Sequence, residues 1–126
     1  YSFGIRSGMR EEFQFAKDSG MHMYKFDVAE PLKKVLPTLT GRNVYVTIDI
    51  DVLDPAHAPG TGTAEAGGIT SKEMLEAITA ISNSGVNVVG ADLVEVAPAY
   101  DSSEQTQIAA AKFIREILLG WVNKRL

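Results

Sequence analysis

The stretch that decides the fold is residues 44–68, VYVTIDIDVLDPAHAPGTGTAEAGG. An almost wholly apolar run passes straight into two aspartates, and a loop of prolines and glycines follows. Val44, Val46, Ile48 and Ile50 alternate with Tyr45 and Thr47, so residues 44–50 are predicted to form a strand. A run of this kind, buried on both faces, is what a central strand of a parallel sheet looks like. In open parallel sheets the carboxyl ends of the strands border the ligand crevice. Asp49 and Asp51 are then expected to project from one face of that strand end, with Cα atoms about 6.5–7 Å apart.

Two buried carboxylates at that spacing repel, and each raises the other's pKa unless a cation lies between them. A divalent metal resolves the conflict, because carboxylates suit the hard ions Mg, Ca and Mn. Two such ions about 3.5–4 Å apart can make a shared water nucleophilic near neutral pH. A D-x-D at a strand end also has a plainer use, capping turns and accepting hydrogen bonds from loop amides. The loop favours the metal, because Asp54-Pro55 and Pro59-Gly60-Thr61-Gly62 form a rigid wrapper that holds backbone close to a ligand.

Working outward, residues 2–6 and 21–26 read as short strands, with a short helix over 10–17 between them. Pro31 opens a helix at a position where a first-turn proline is tolerated, with Leu32, Val35, Leu36 and Leu39 inward. Thr70 and Glu73 form a capping box ahead of Met74, Leu75, Ile78 and Ile81, and Gly85 ends that helix. A strand follows over 86–96. A last helix is expected to open near Asp101, with Glu104 completing a second box, and to bury Ile108, Ala111, Ile114, Leu118 and Val122. The order β-α-β-α-β-α-β-α implies parallel strands joined by right-handed crossovers. Residues 52–69 are the only long irregular stretch, and a loop of that length in a compact domain is usually functional.

Glu95 is expected at the end of the last strand, facing the crevice of Asp49 and Asp51. There it would hold a cationic substrate group, or else stand as a solvated or capping acid. Asp92 should point to the opposite face and serve structure. His57 reads as a loop or substrate-mouth residue and His22 as structural. No G-x-S-x-G elbow is present. The glycine-rich PGTGTAEAGG lacks the lysine and spacing of a phosphate loop.

The bulk numbers agree with a small globular enzyme. By length the 126 residues are expected to make one domain, 1–126, or part of one, with 45% hydrophobic and 22% charged residues. A net charge of −4 argues against nucleic acid, whose phosphates need clustered Lys and Arg. In these residues no apolar run approaches the ~20 that span a bilayer, and no basic-then-apolar leader is present. With no cysteine there is no disulfide, Cys-based zinc site or thiol nucleophile, which fits a cytoplasmic protein.

At this point the segments fall into a known pattern. TIDIDVLDPAHAPGTGTAEAGG resembles the signature of the ureohydrolases, the family of arginases and agmatinases, with Asp49, Asp51, Pro55, Pro59, Gly60 and Gly68 at the family's spacing. DLVEVAPAYD at 92–101 and FGIRSG at 3–8 are similar to further agmatinase-type segments. The resemblance implies an α/β fold, a three-layer α/β/α arrangement with a parallel sheet, of which this is about the C-terminal half. It implies a binuclear Mn2+ site whose metal-bridging hydroxide attacks a substrate guanidinium carbon, releasing urea and an amine. Carried over by position, Asp49 and Asp51 become manganese ligands, Glu95 the partner of the guanidinium, and Thr70 a residue near the substrate. Trimers or hexamers are expected of the complete enzyme.

Arginases carry acidic residues in the segment that matches Gly4-Ile5-Arg6-Ser7-Gly8-Met9, and these help hold the amino-acid end of arginine. Here the segment has no acid. Agmatine, cleaved to putrescine and urea, is therefore the expected substrate, with guanidinobutyrate or arginine as alternatives. Ala64 and Ala66 stand where agmatinase-like sequences often have prolines. The histidine-containing ligand segments of the family have no match in these residues, so the isolated chain is expected to be inactive until a further segment or partner completes the site. Two rivals stand outside this reading. One is a phosphatase of the haloacid dehalogenase type, which also sets D-x-D after an apolar strand. The other is an inert fragment that pairs through its apolar face.

Overall fold

The computed structural model describes residues 1–122; the side chain of Val122, expected on a buried helix face, lies outside the described residues. Along the chain run β1 (Ser2–Ile5), α1 (Arg10–Asp18), β2 (Met23–Lys25), α2 (Ala29–Val35), β3 (Asn43–Asp49), α3 (Ser71–Asn83), β4 (Asn87–Val94) and α4 (Gln105–Ile117). The alternation is the predicted one. β1 pairs with β2 and β3 with β4, both in parallel, because each pair is joined through a helix rather than a tight turn. Among the described residues the pairs form separate two-stranded sheets. An apolar cleft of about 520 Å³, lined by residues that include Phe3, Val28, Leu36, Val46 and Ile78, runs along β1 and β3. The result is a partial α/β domain of parallel strands.

The core forms where the inward face of β3 meets α2, α3 and α4. Leu32, Leu36, Ile48, Ile50, Leu53, Met74, Ile78 and Phe113 share one buried cluster. The Thr70–Glu73 capping box forms as predicted and fixes the start of α3. α3 stops at Asn83, and Gly85 serves it by close approach rather than by a left-handed turn: a Cβ there would lie 2.8 Å from the Thr40 methyl.

Two expectations are corrected. β3 is covered on one face only. Val44, Val46 and Ile48 turn inward, while Tyr45 is 61% exposed and Thr47 is exposed, because no described element packs on that side. The open face is ordered by cross-strand bonds instead. The Tyr45 hydroxyl donates to Asp92 Oδ2 (2.8 Å) and the Thr47 hydroxyl to Asp92 Oδ1 (2.6 Å). These bonds hold the Asp92 carboxyl below its usual range. Asp92 is structural, as read from the sequence.

The second correction concerns α4. The expected inward stripe is outside: Ile108 is 66% exposed and Leu118 55%, and Ala111 and Ile114 are exposed with them. Thr106, Ala110, Phe113 and Ile117 are buried instead. The helix begins at Gln105, after a left-handed Glu104 with φ 61°, so no second capping box forms. Asp101 accepts hydrogen bonds from the Ser103 and Thr106 amides, and Thr106 Oγ1 accepts from the Gly60 amide at 2.8 Å. Thr106 thus lies on the stripe of the helix that turns inward.

The rotation of α4 is open to direct test. Phe113→Ala should destabilise the chain by about 3–5 kcal/mol through a cavity, whereas Ile108→Ala should stay within about 0.5 kcal/mol. Urea midpoints of the two variants measure this, and the reverse ranking would restore the expected face.

Candidate active site

β3 ends at Asp49, and the chain then tightens into a single 3-10 turn over Ile50–Val52. Asp51 therefore lies in the turn and not on the strand, which corrects the expectation of two carboxylates at strand spacing. The turn still brings them together. The Asp51 amide donates to Asp49 Oδ1 at 3.1 Å. Burial holds the Asp49 carboxyl above its usual range; the Asp51 amide works against this, and the charges of Asp51 and Glu95 add to it. Asp49, Asp51 and Glu95 thus share one electrostatic neighbourhood.

Glu95 reaches it by an unusual backbone. β4 stops at Val94 rather than at residue 96, and Glu95 adopts φ 65°, left-handed for a non-glycine residue. Such a conformation costs on the order of 1–3 kcal/mol and persists only where surrounding structure enforces it. Glu95 is exposed. Thr70 forms the α3 cap: its hydroxyl accepts from the Glu73 amide and donates to the Glu73 carboxylate. His57 is half-buried, with Nδ1 3.5 Å from Ser71 Oγ. His22 stacks on Tyr1 with ring centroids 4.8 Å apart, just before β2.

The long loop is closed and tied down. Leu53 and Ile69 form a bridge, the Asp54 amide donates to the Ile69 carbonyl (2.9 Å), and the Ile69 amide donates to the Val52 carbonyl (3.0 Å). The Asp54 carboxylate accepts from the amides of Ala56 and Gly67, which lowers its pKa and joins the two limbs of the loop. Gly60 ties the loop to the other signature segment. Its carbonyl accepts from the Ala97 amide at 2.8 Å, and a Cβ at this position would lie 2.7 Å from Asp101 Cβ.

Three residues at the site carried no role in the sequence reading. Thr63 Oγ1 donates to Asp51 Oδ2 at 2.9 Å. Arg6 donates from its guanidinium to the carbonyls of Asp51 and Val52. Glu65 accepts from Ser7 Oγ at 2.9 Å and lies 3.9 Å from Arg6 Nε. Glu65 corrects a specific expectation. The segment around Ser7 lacks an acid in sequence, but the loop supplies one in space. Thr63 and Arg6 lie inside quoted motifs, so their segments were visible; their contacts span the fold and were not.

Among the described residues no group of three or more His, Cys, Asp or Glu side chains is arranged to hold a metal ion. Asp49 and Asp51 nevertheless suit one as part of a set. They are hard oxygen donors, already adjacent, and Asp49 is the carboxylate whose charge most needs a counter-cation.

The arginase family model matches residues 1–120. The chain belongs to the arginase family. An agmatinase from Halalkalibacterium halodurans is 82% identical over 122 residues, covering 97% of this chain and 42% of that protein. An agmatinase from Bacillus cereus is 77% identical over 123 residues, covering 98% of this chain and 42% of that protein. The crystal structure of an agmatinase candidate from Clostridium difficile superposes with a TM-score of 0.92 at 40% identity, over 98% of this chain and 46% of that one. The chain thus spans less than half the length of these relatives. Membership of the arginase family removes the haloacid dehalogenase alternative.

Two titrations follow with opposite signs. The Asp101 carboxylate accepts from the Ser103 hydroxyl, from Thr106 and from the Ser103 amide, which hold its pKa well below the usual range. Its stabilisation is complete above the unfolded value of about 3.9 and is withdrawn as pH falls below it. Asp101→Asn should flatten the acid limb of stability between about pH 5 and 2, read from urea midpoints. Asp49 is raised, so folding opposes its ionisation and its cost grows as pH rises through the carboxylate range. Asp49→Asn should raise the Tm of the metal-free chain at neutral pH and leave it unchanged near pH 3.

Proposed function

We propose that this arginase-family chain is the part of a manganese-dependent ureohydrolase that carries Asp49, Asp51 and Glu95, and that its substrate is agmatine, cleaved to putrescine and urea. The observation that carries the reading is the pairing of Asp49 with Asp51 at the turn after β3, with Glu95 just past the end of the paired strand β4 and close enough for its charge to act on Asp49. Agmatine is favoured by the agmatinase relatives at 77–82% identity. The lack of an acid near Ser7 no longer favours it, since Glu65 stands there. A cytoplasmic setting belongs to the same proposal.

In this reading Asp49 and Asp51 hold metal, with the remaining ligands supplied from outside the described residues. Manganese, when bound, supplies the Lewis acidity that makes water a nucleophile near neutral pH. The chain's own residues do the rest. Glu95 pairs with the guanidinium through charge-assisted hydrogen bonds and turns its carbon toward the aspartates. The left-handed backbone at Glu95, held by its surroundings, restricts the segment that carries this carboxylate. Water adds to the guanidinium carbon, its two protons pass to the alkyl nitrogen, and the bond from carbon to that nitrogen breaks to release urea and the alkylammonium.

The test is urea release from agmatine, arginine and guanidinobutyrate by the protein at its relatives' full length, with and without Mn2+. Agmatine should be preferred and the activity manganese-dependent. Asp49→Ala or Asp51→Ala should lose metal and at least about 1,000-fold in rate. Glu95→Gln should keep metal and lose about 10–100-fold in kcat/KM, the worth of one charged hydrogen bond. Normal turnover by Glu95→Gln would remove its assigned role, and preference for arginine would overturn the substrate.

A further inference from the structure

Arg6 follows β1 and is remote in sequence from both aspartates, yet its side chain is only 5% exposed and is spent on their turn. Nη1 donates to the Val52 carbonyl at 2.8 Å and Nη2 to the Asp51 carbonyl. Nε is buried with no hydrogen-bond partner, and the nearest carboxylate, Glu65, stands 3.9 Å away. A buried cation served mainly by neutral carbonyls is a poor way to stabilise a fold, since burying charge costs several kcal/mol unless it is well paired. An apolar side chain of similar volume would fill the space at less cost. The geometry of the fork is what an apolar residue lacks: two parallel donors lock two successive peptide groups.

Those peptide groups belong to the turn that carries Asp51. The residue is held from three sides. Its amide is bound by the Asp49 carboxylate, its carbonyl by Arg6, and its side chain by Thr63. A second, independent feature serves the same clamp. A Cβ at Gly68 would collide with Arg6 Nη1 and with the backbone of Leu53 and Asp54. Gly68 is therefore the gap through which the guanidinium reaches the turn while the loop closes over it.

We propose that Arg6 is a positioning residue: by clamping the carbonyls of Asp51 and Val52 it sets the angle at which the Asp51 carboxylate meets the metal, and Gly68 makes room for the clamp. The inference rests on the reading of Asp51 as a metal ligand. Arg6 touches neither substrate nor metal in this scheme. It acts through the turn, as outer residues do when they orient a ligand, and their loss typically costs 10–100-fold in metal affinity.

The experiment compares Arg6→Met, Arg6→Lys, Gly68→Ala and Asp51→Ala in the protein at its relatives' full length. Mn2+ affinity is measured by calorimetry and thermal stability without metal. Arg6→Met should weaken Mn2+ binding about 10–100-fold while the metal-free Tm stays near wild type. Arg6→Lys, with one donor in place of the fork, should recover part of that loss. Gly68→Ala should weaken binding in the same direction. Should Arg6→Met fail to fold, Arg6→Lys decides on the same measurement. Wild-type Mn2+ affinity in the Arg6 variants, or a fall in affinity matched by an equal fall in metal-free stability, would overturn the positioning role. Asp51→Ala separates the two claims: if it binds Mn2+ normally, the ligand reading fails; if it loses Mn2+ while Arg6→Met does not, the clamp alone fails.

Discussion

The site depends on one turn. β3 pairs in parallel with β4 as far as Asp49, with a register shift after Val44, and there the ladder ends and the chain folds into a 3-10 turn. A strand carried two residues further would have kept Asp49 and Asp51 a full repeat apart. The turn instead lets one aspartate accept a hydrogen bond from the amide of the other, at the expense of crowding like charges. Crowding of this kind is stable only because the backbone on either side is held. Ile50 and Leu53 anchor it in the core, and Arg6 and the Ile69 amide grip its carbonyls.

That constraint explains the character of the following loop. Residues 53–69 close on themselves through the Leu53–Ile69 bridge and the Asp54 carboxylate. They are tethered at Gly60 to the segment after β4 and at Glu65 to the segment after β1. The three stretches that resemble agmatinase segments are therefore one mechanical unit. The glycines at 60 and 68 serve close approach: each faces atoms that a Cβ would strike. The alanines at 64 and 66 sit on exposed ground beside the tethered Glu65, so the loop tip is fixed by that contact rather than by proline stiffness.

The same structure is visibly partial. The Tyr45 face of β3 and the Ile108 stripe of α4 are apolar or aromatic surfaces left uncovered. A cleft runs where β1 and β3 do not pair. A chain that spans 42% of its agmatinase relatives has the architecture of its family in these residues without the closed core.

What the sequence determined by itself was local and periodic. Alternation of apolar residues defined β3, the T-x-x-E box set the start of α3, and the order of elements required parallel pairing. The D-x-D and the acid at 95 pointed to candidate chemistry, beside the plainer use of such carboxylates as turn caps or solvated acids. Only the tertiary structure decided the rest. α4 carries two apolar stripes of equal period, and the one chosen buries Phe113 and Ile117 and places Thr106 to accept a buried bond from the Gly60 amide. β3 stops one residue short of Ile50 because the turn's hydrogen bonds replace the ladder. Arg6, Thr63 and Glu65 enter the site across separations of 45, 12 and 58 residues. Periodicity reports which face of an element is apolar; it carries no information on which distant residue will meet it, since that follows from packing the elements together.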